Sequence, residues 1–305
     1  MWIQAVAEPD ALGESPFWHP QEQRLYWVDI DGRRIRRVRP GEAAENWPLP
    51  QQPGCIAPAA GGGLVMGLRD GIYRAREWGG TLAPIVRFNH AQTSRFNDGK
   101  ADPLGRFWAG TIYEPRDARK ADLYSVDCRP GNGEGGKPVV QLKAHNATTA
   151  NGLAWSPDAR TLYWTDTPRH VIHAWDWDAR ANVLRRHRIF HQFPPKPAGW
   201  RPGDPGYGGR PDGAAVDAEG NYWCAMYEGG RIVQLSPAGV LLREIAVPAR
   251  CPTMPCFGGP EGKTLFLATA RHGRPPEEVA ALPLSGHVLA LESDIAGLPV
   301  NFFID

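Results

Sequence analysis

Four oxygen-bearing side chains, Glu14, Asn97, Asn151 and Asp212, each stand six residues before a turn position held by Pro20, Pro103, Pro157 or Ala218. An apolar strand pattern follows each turn: Leu25-Tyr26-Trp27, Phe107-Trp108, Leu162-Tyr163-Trp164 and Tyr222-Trp223. A repeated structural unit carries equivalent residues to equivalent places. If the units close into a ring, two carboxylates and two amides converge on its axis. That all-oxygen set suits a hard divalent cation such as Ca²⁺, Mg²⁺ or Mn²⁺. Glu14, Asn151 and Asp212 are the expected metal ligands, leaving coordination positions for water and substrate. A cation so held polarises a carbonyl or phosphoryl oxygen and lowers the pKa of a bound water. Asp212 is also placed to act as a general base. A purely structural ion plugging the channel is the alternative reading.

The segment Ser94-Arg95-Phe96-Asn97-Asp98-Gly99-Lys100 carries the densest chemistry. Arg95 and Asn97 are two apart, so on a strand they share one face. A guanidinium fork beside an amide suits hydrogen bonding to a polyhydroxylated ligand; a surface ion pair and a turn-holding amide are the plainer possibility. Asp98 and Gly99 read as residues that shape the turn. Glu114, after the strand ending Ala109-Gly110-Thr111, is within range of the same mouth. A Pro- and Gly-rich insertion at 194–210, with Trp200, Arg201, Asp204 and Tyr207, immediately precedes Asp212. It reads as a lid over the site, with a passive surface loop as the alternative.

The elements that must position these residues follow from the same register. Two more turns occur at Pro58 and Pro260, so turn positions fall at 20, 58, 103, 157, 218 and 260, separated by 38, 45, 54, 61 and 42 residues. Short strands and Gly/Pro turns repeating at roughly 40–50 residues are the pattern of a four-stranded propeller blade. The expectation is an all-β, six-bladed β-propeller forming a single domain over residues 1–305, with a central metal site. The two longest gaps are expected to hold loop insertions. Gln52 and Met254 occupy the other two equivalent positions, so not every blade contributes a ligand. Residues 2–7 alternate like a strand and should pair with the last blade, closing the ring and removing its free edges. The 35 Gly and 30 Pro suit many tight turns. Several of the 12 Trp, including Trp27, Trp108, Trp155, Trp164 and Trp223, fall at strand positions suited to packing between blades.

Composition narrows the function classes. No apolar run approaches the roughly 18 residues of a membrane span, and the N-terminus lacks a secretory pattern. Five Cys, odd in number and without CxxC spacing, read as reduced, which makes the cytoplasm the expected location. A net charge of +1 argues against a nucleic-acid surface. The basic run at 33–39 reads as the solvent face of an outer strand. No GxSxG elbow, HExxH or P-loop is present. His170 and His173 read as outer-strand residues, which sets aside a Cys/His zinc site. A monomer is the simplest state for a closed propeller.

At these residues the chain resembles the regucalcin/gluconolactonase family of six-bladed propellers. The matching motifs are Gly13-Glu14-Ser15-Pro16, Arg95-Phe96-Asn97-Asp98-Gly99-Lys100, Ala109-Gly110-Thr111, Asn151-Gly152-Leu153 and Pro211-Asp212-Gly213. Cys256-Phe257-Gly258-Gly259-Pro260 is similar to bacterial sugar lactonases. The resemblance implies one divalent cation on Glu14, Asn151 and Asp212, with Ca²⁺ first and Zn²⁺, Mn²⁺, Mg²⁺ or Fe²⁺ also accepted. It implies substrate contacts from Arg95 and Asn97, and hydrolysis of aldonolactones with Asp212 as base. Some relatives place a substrate-binding carboxylate one position later, where this chain has Pro115, so Glu114 takes that role here only by proximity. D-Glucono-1,5-lactone is the lead substrate. Xylono-, arabinono- and galactono-lactones, or an anionic derivative such as a sulfogluconolactone, are alternatives. So are phosphotriester hydrolysis, as in the diisopropyl fluorophosphatase-like propellers, and a non-enzymatic calcium-binding propeller.

Overall fold

The computed structural model describes residues 1–90 and 92–305 and arranges their strands in six four-stranded antiparallel sheets. In chain order, blade 1 comprises Gly13–His19, Arg24–Asp29, Arg34–Val38 and Glu45–Pro48. Blade 2 comprises Pro53–Pro58, Leu64–Leu68, Gly71–Ala75 and Ala83–Arg87. Blade 3 runs Ser94–Ala101, Phe107–Tyr113, Ala121–Asp127 and Val139–Ala147. Blade 4 runs Ala150–Trp155, Thr161–Asp166, Val171–Asp178 and Val183–Gln192. Blade 5 is built from Arg210–Val216, Tyr222–Tyr227, Arg231–Leu235 and Leu241–Ala246. Blade 6 is built from Cys251–Gly258, Thr264–Ala270 and Leu289–Glu292, with Ile3–Gln4 as its outermost strand. The first strand of each blade packs on the first strand of the next, and blade 6 packs back on blade 1. The sheets therefore form a six-bladed ring with those strands innermost. The N-terminal strand is shorter than the alternation over 2–7 suggested, but it pairs where expected, Ile3 with Ala290 and Gln4 with Leu289.

Apolar faces meet between neighbouring blades, and the indoles fill those seams. Trp108, Trp155, Trp164 and Trp177 share one cluster between blades 3 and 4, while Trp18 and Trp27 sit between blades 6 and 1. Two of the turns are held by an aspartate on their first corner. Asp102 accepts the Leu104 and Arg106 backbone N–H groups (2.8 and 3.0 Å) and the Trp108 indole N–H (2.8 Å). Asp217 does the same for Glu219, Asn221 and Trp223 (3.0, 2.9 and 2.8 Å). Each carboxylate thus ties a turn to the second strand of its own blade while fully buried.

Every innermost strand breaks register once. The irregularity falls between Glu14 and Phe17, Pro53 and Cys55, Phe96 and Gly99, Asn151 and Ala154, Pro211 and Ala214, and Pro252 and Met254. Such bulges free residues from the ladder and re-aim their side chains. Gly152 takes a positive φ of 60° there, and a Cβ on it would lie 2.3 Å from the Tyr222 hydroxyl, so only glycine fits.

Three sequence expectations are corrected by the packing. The basic run does not form a solvent face. Arg36 is fully buried, donating to Asp10 and Glu8 at 2.9 Å each, while Arg34 binds Asp10 and Asp29 (3.3 and 3.1 Å). Burial of the strand's inner face brings those guanidinium groups onto Glu8 and Asp10 of the segment leading into blade 1 and onto Asp29 at the end of its second strand. His173 is on a blade 4 strand as expected, but His170 lies in the turn before it, with φ of 56°. Asp98 lies in the bulge of an inner strand, and Gly99 resumes its ladder opposite Ala109, rather than either lying in the turn that follows. The two longest turn-to-turn gaps do contain loops, around 128–138 and 193–209. All five cysteines are free thiols. No helix among the described residues is long and apolar enough to cross a membrane.

Candidate functional site

The bulges bring Glu14, Asn97, Asn151 and Asp212 to one end of the central channel. Glu14, Asn151 and Asp212 are 9%, 3% and 5% exposed, so their oxygens are largely removed from bulk water. The Asn151 amide donates to Thr167 Oγ1 (2.8 Å), which fixes its carbonyl oxygen on the other side. That oxygen accepts one N–H of Asn97 (2.9 Å), and the other Asn97 N–H goes to the Ala150 carbonyl (2.9 Å). Arg95 Nη1 in turn donates to Asn97 Oδ1 (2.8 Å) and to the Phe96 carbonyl (3.0 Å). A continuous polar relay thus runs from Arg95 through Asn97 to Asn151, and each amide oxygen retains one lone pair.

Electrostatics single out the two carboxylates. Burial pushes the Glu14 carboxyl well above its usual range, and the charges of Asp212 and Asp98 push it further. Asp212 is also raised, by burial first and by Asp98, against the pull of Arg210, Arg116 and the neighbouring Asn151 amide. Neither Glu14 nor Asp212 has an ion-pair partner among the described residues. Asp98 Oδ2 accepts the Leu153 backbone N–H (2.8 Å), whereas its buried Oδ1 has no hydrogen-bond partner. These carboxylates, crowded together out of water, are only partly offset by Arg95, Arg116, Arg210 and Lys100, and a divalent cation bound by oxygen would supply the rest of the counter-charge. The residues fit such an ion in chemistry and in charge. The set comprises two carboxylates and an amide; no three His, Cys, Asp or Glu side chains among the described residues are grouped as a metal cage.

Around this centre lies a polar rim. Glu114 receives both Arg69 nitrogens (2.9 and 2.8 Å) and lies 3.6 Å from Arg95 Nε, and Arg69 holds its carboxyl below the usual range. Arg69 also donates to Gln52 Oε1 (2.6 Å), and Gln52 Nε2 to Asp31 (3.1 Å). Gln52, at the repeat position without a ligand role, is therefore part of the rim. Arg69 and Asp31 carry no repeat signal; their relation to Glu114 depends on pairing across blades 1, 2 and 3, which only the folded ring provides.

The 194–210 segment is anchored at this end. The Tyr207 hydroxyl is 2.7 Å from His170 Nε2, and the Trp200 and Tyr207 rings meet edge to face with centroids 5.1 Å apart. Lys196 Nζ lies 4.9 Å from the Trp200 ring and binds Glu228. Within the insertion expected to form a lid, the Arg201 backbone N–H donates to Asp204 Oδ2 (2.7 Å).

Residues 12–271 match the family model described as SMP-30/gluconolactonase/LRE-like region. The chain is 40% identical over 301 residues to 6-deoxy-6-sulfogluconolactonase of Pseudomonas putida, covering 98% of this chain and 97% of that relative. It is 29% identical to regucalcin of Danio rerio over 92% of this chain and 90% of the relative. Among solved structures, the calcium-binding protein regucalcin from Agrobacterium tumefaciens superimposes with a TM-score of 0.86 at 22% identity, over 98% of this chain and 96% of that one. That likeness shows the shared propeller fold.

Proposed function

The chain belongs to the SMP-30/gluconolactonase/LRE-like family, and on that footing we propose that it hydrolyses sugar aldonolactones to aldonic acids at this end of the channel. The observation carrying the reading is the pairing of Glu14 and Asp212, buried beside the Asn151 amide and, among the described residues, without a direct ion-pair partner. Glu14, Asn151 and Asp212 would hold one divalent cation, with Ca²⁺ the first choice for an all-oxygen set. When bound, it supplies polarisation of the lactone carbonyl and a more acidic water.

The remaining chemistry belongs to the side chains. Arg95, Asn97 and Glu114 present a fork, an amide lone pair and a carboxylate that suit the hydroxyls of a sugar ring. Asp212 takes a proton from water as the water oxygen adds to the carbonyl carbon. The ring C–O bond then breaks, the ring oxygen leaves as a hydroxyl by regaining a proton, and the open-chain acid results. D-Glucono-1,5-lactone is the lead skeleton; the Pseudomonas putida relative favours a second form, the same skeleton bearing a negative group at C6.

The test is acid release from a panel of neutral and anionic aldonolactones, followed by pH indicator. Chelated protein is assayed before and after each divalent metal, with spontaneous ring opening subtracted. Metal-restored turnover of a lactone is expected, and Asp212→Ala should lose both that turnover and calorimetric metal binding. Folded protein that turns over no lactone with any metal would remove the lactonase reading in favour of a binding propeller.

A further inference from the structure

The channel does not end at the polar site. Beyond the bulges, the later part of each innermost strand lines a cavity of about 270 Å³ at the opposite, lower end of the channel. Phe17, Ile56, Trp155, Val216 and Phe257 supply apolar walls from blades 1, 2, 4, 5 and 6, and residues 298–301 of the tail close one side. An apolar void of about 150 Å³ holds benzene, so this one has room for roughly eleven non-hydrogen atoms. Blade 3 puts a lysine into the wall where the other blades put hydrocarbon. Lys100 lines the cavity and crosses the channel to donate to the Ala214 carbonyl of blade 5. That bond uses one of its three N–H donors, and the ammonium has no direct ion-pair partner among the described residues. Ser15, Ser156 and Asn301, also in the wall, are already bonded. Ser15 Oγ donates to the Ile56 carbonyl (3.4 Å) and accepts its N–H (3.0 Å), Ser156 Oγ donates to Asp158 (2.6 Å), and Asn301 donates to the Ala101 carbonyl (3.2 Å). Burial holds the Lys100 pKa below the ordinary lysine value, against the pull of Asp98. An ammonium so placed favours a ligand of opposite sign over a neutral one.

We propose that the lower cavity is a second binding site, for an amphipathic monocarboxylate of about ten non-hydrogen atoms whose carboxylate meets Lys100 and whose alkyl or aryl body fills the space between the blades. The carboxylate accepts the remaining Lys100 donors in a charge-assisted hydrogen bond. The body of the ligand and the cavity walls remove each other's hydrocarbon surface from water. A polyhydroxylated sugar acid would leave its hydroxyls unpaired against those walls, so the lower site selects a different class of molecule from the polar mouth. The two sites are independent, and the lower one does not depend on whether the mouth opens lactones.

The test is calorimetric binding of 3-phenylpropanoate, octanoate and the neutral 3-phenylpropanamide to the full chain with Ca²⁺ present. The unaltered protein is compared with Lys100→Met, with Val300→Trp, which fills the cavity from the tail side, and with Asp212→Ala, which alters only the polar mouth. Both acids are expected to bind with Kd below about 1 mM, and the amide about tenfold or more weakly than its acid. Lys100→Met should remove that preference, Val300→Trp should abolish binding of all three, and Asp212→Ala should bind the acids within about twofold of the parent. Equal affinity for acid and amide, lost in Val300→Trp, would leave an apolar pocket and overturn the carboxylate assignment. A preference for the acid that persists in folded Lys100→Met would overturn the role of that lysine. Binding that survives Val300→Trp but is lost in Asp212→Ala would put the acid at the polar mouth and overturn the second site, as would no binding at all. Should Lys100→Met fail to fold, judged by circular dichroism, the ratio of acid to amide affinity on the unaltered chain and its loss in Val300→Trp decide the question.

Discussion

At the residue scale the site is a division of labour between side chains that hold charge and side chains that hold position. Arg95 belongs with the second group, because it touches Asn97 and approaches Glu114 but reaches Asn151 only through the Asn97 amide. Removing it leaves Glu114 bound to Arg69 and leaves Asn151 tethered to Thr167. Arg95→Ala should therefore raise KM for the lactone about tenfold, with a smaller change in kcat and with metal affinity retained by calorimetry. Metal loss in that variant would move Arg95 out of the substrate wall and into support of the ligands. The four repeat-borne residues were legible because each sits at a constant offset from a turn. Asp98 was misread because an Asp-Gly pair is also turn chemistry, whereas the bulge turns its carboxylate inward toward Leu153 of the next blade. Arg69 had no periodic signature, since it is one arginine in a loop whose contacts with Gln52 and Glu114 depend on which blade edges it overhangs.

At the element scale, the 194–210 segment shows how an insertion is tied to the blades by a few side chains. The Pro and Gly content marked it as a loop, and its place before Asp212 marked it as relevant. Its anchors could not be read from sequence, because Glu228 and His170 are contributed by other turns. Glu228 has a positive φ of 64° and is 6% exposed, and it binds Lys196, Arg210 and Arg274. Burial works to raise its carboxyl, but those cations outweigh it and hold the group below the ordinary glutamate value of 4.5. A depressed folded-state pKa stabilises above the unfolded value, and that contribution is lost as pH falls through the lower folded value. Hydrogen exchange of the 194–210 amides should thus be slower at neutral pH than below about pH 4, after correction for intrinsic exchange. Glu228→Gln should already exchange faster at pH 7 and show a weaker acid step. An identical acid step in both proteins would assign the loosening to another carboxylate.

At the scale of the whole molecule, both chain ends are built into the ring, and only one of them announced itself. Residues 2–7 alternate, so their pairing with the last blade could be expected; the tail has no such pattern. It crosses the end of the channel opposite the candidate site. Gly297 bridges to Asp217 of blade 5, residues 298–301 line a cavity of about 270 Å³, and Phe303 pairs with Ala59 of blade 2. Phe303 is fully buried against Ala57, Phe107 and Val126, and the Ile304 backbone N–H donates to the Gly105 carbonyl (2.9 Å). Gly105 has φ of 89°, and a Cβ there would lie 2.5 Å from the Ile304 side chain, so the turn of blade 3 is shaped to receive the tail. The tail therefore ties three blades together at the end of the channel opposite the candidate site. Truncating Phe303 to Ala removes a fully buried ring from a seam between blades, a change that costs about 3–5 kcal/mol in comparable cores. Chemical denaturation should show that loss with an unchanged slope. Because the tail and the candidate site occupy opposite ends of the channel, KM for the lactone should stay within about twofold of the parent below the variant's melting range. A change in KM without loss of stability would mean instead that the lower cavity communicates with the upper mouth, and Lys100 is the side chain through which to look for it. It lines that cavity, donates to the Ala214 carbonyl, and has Asp98 as its electrostatic partner.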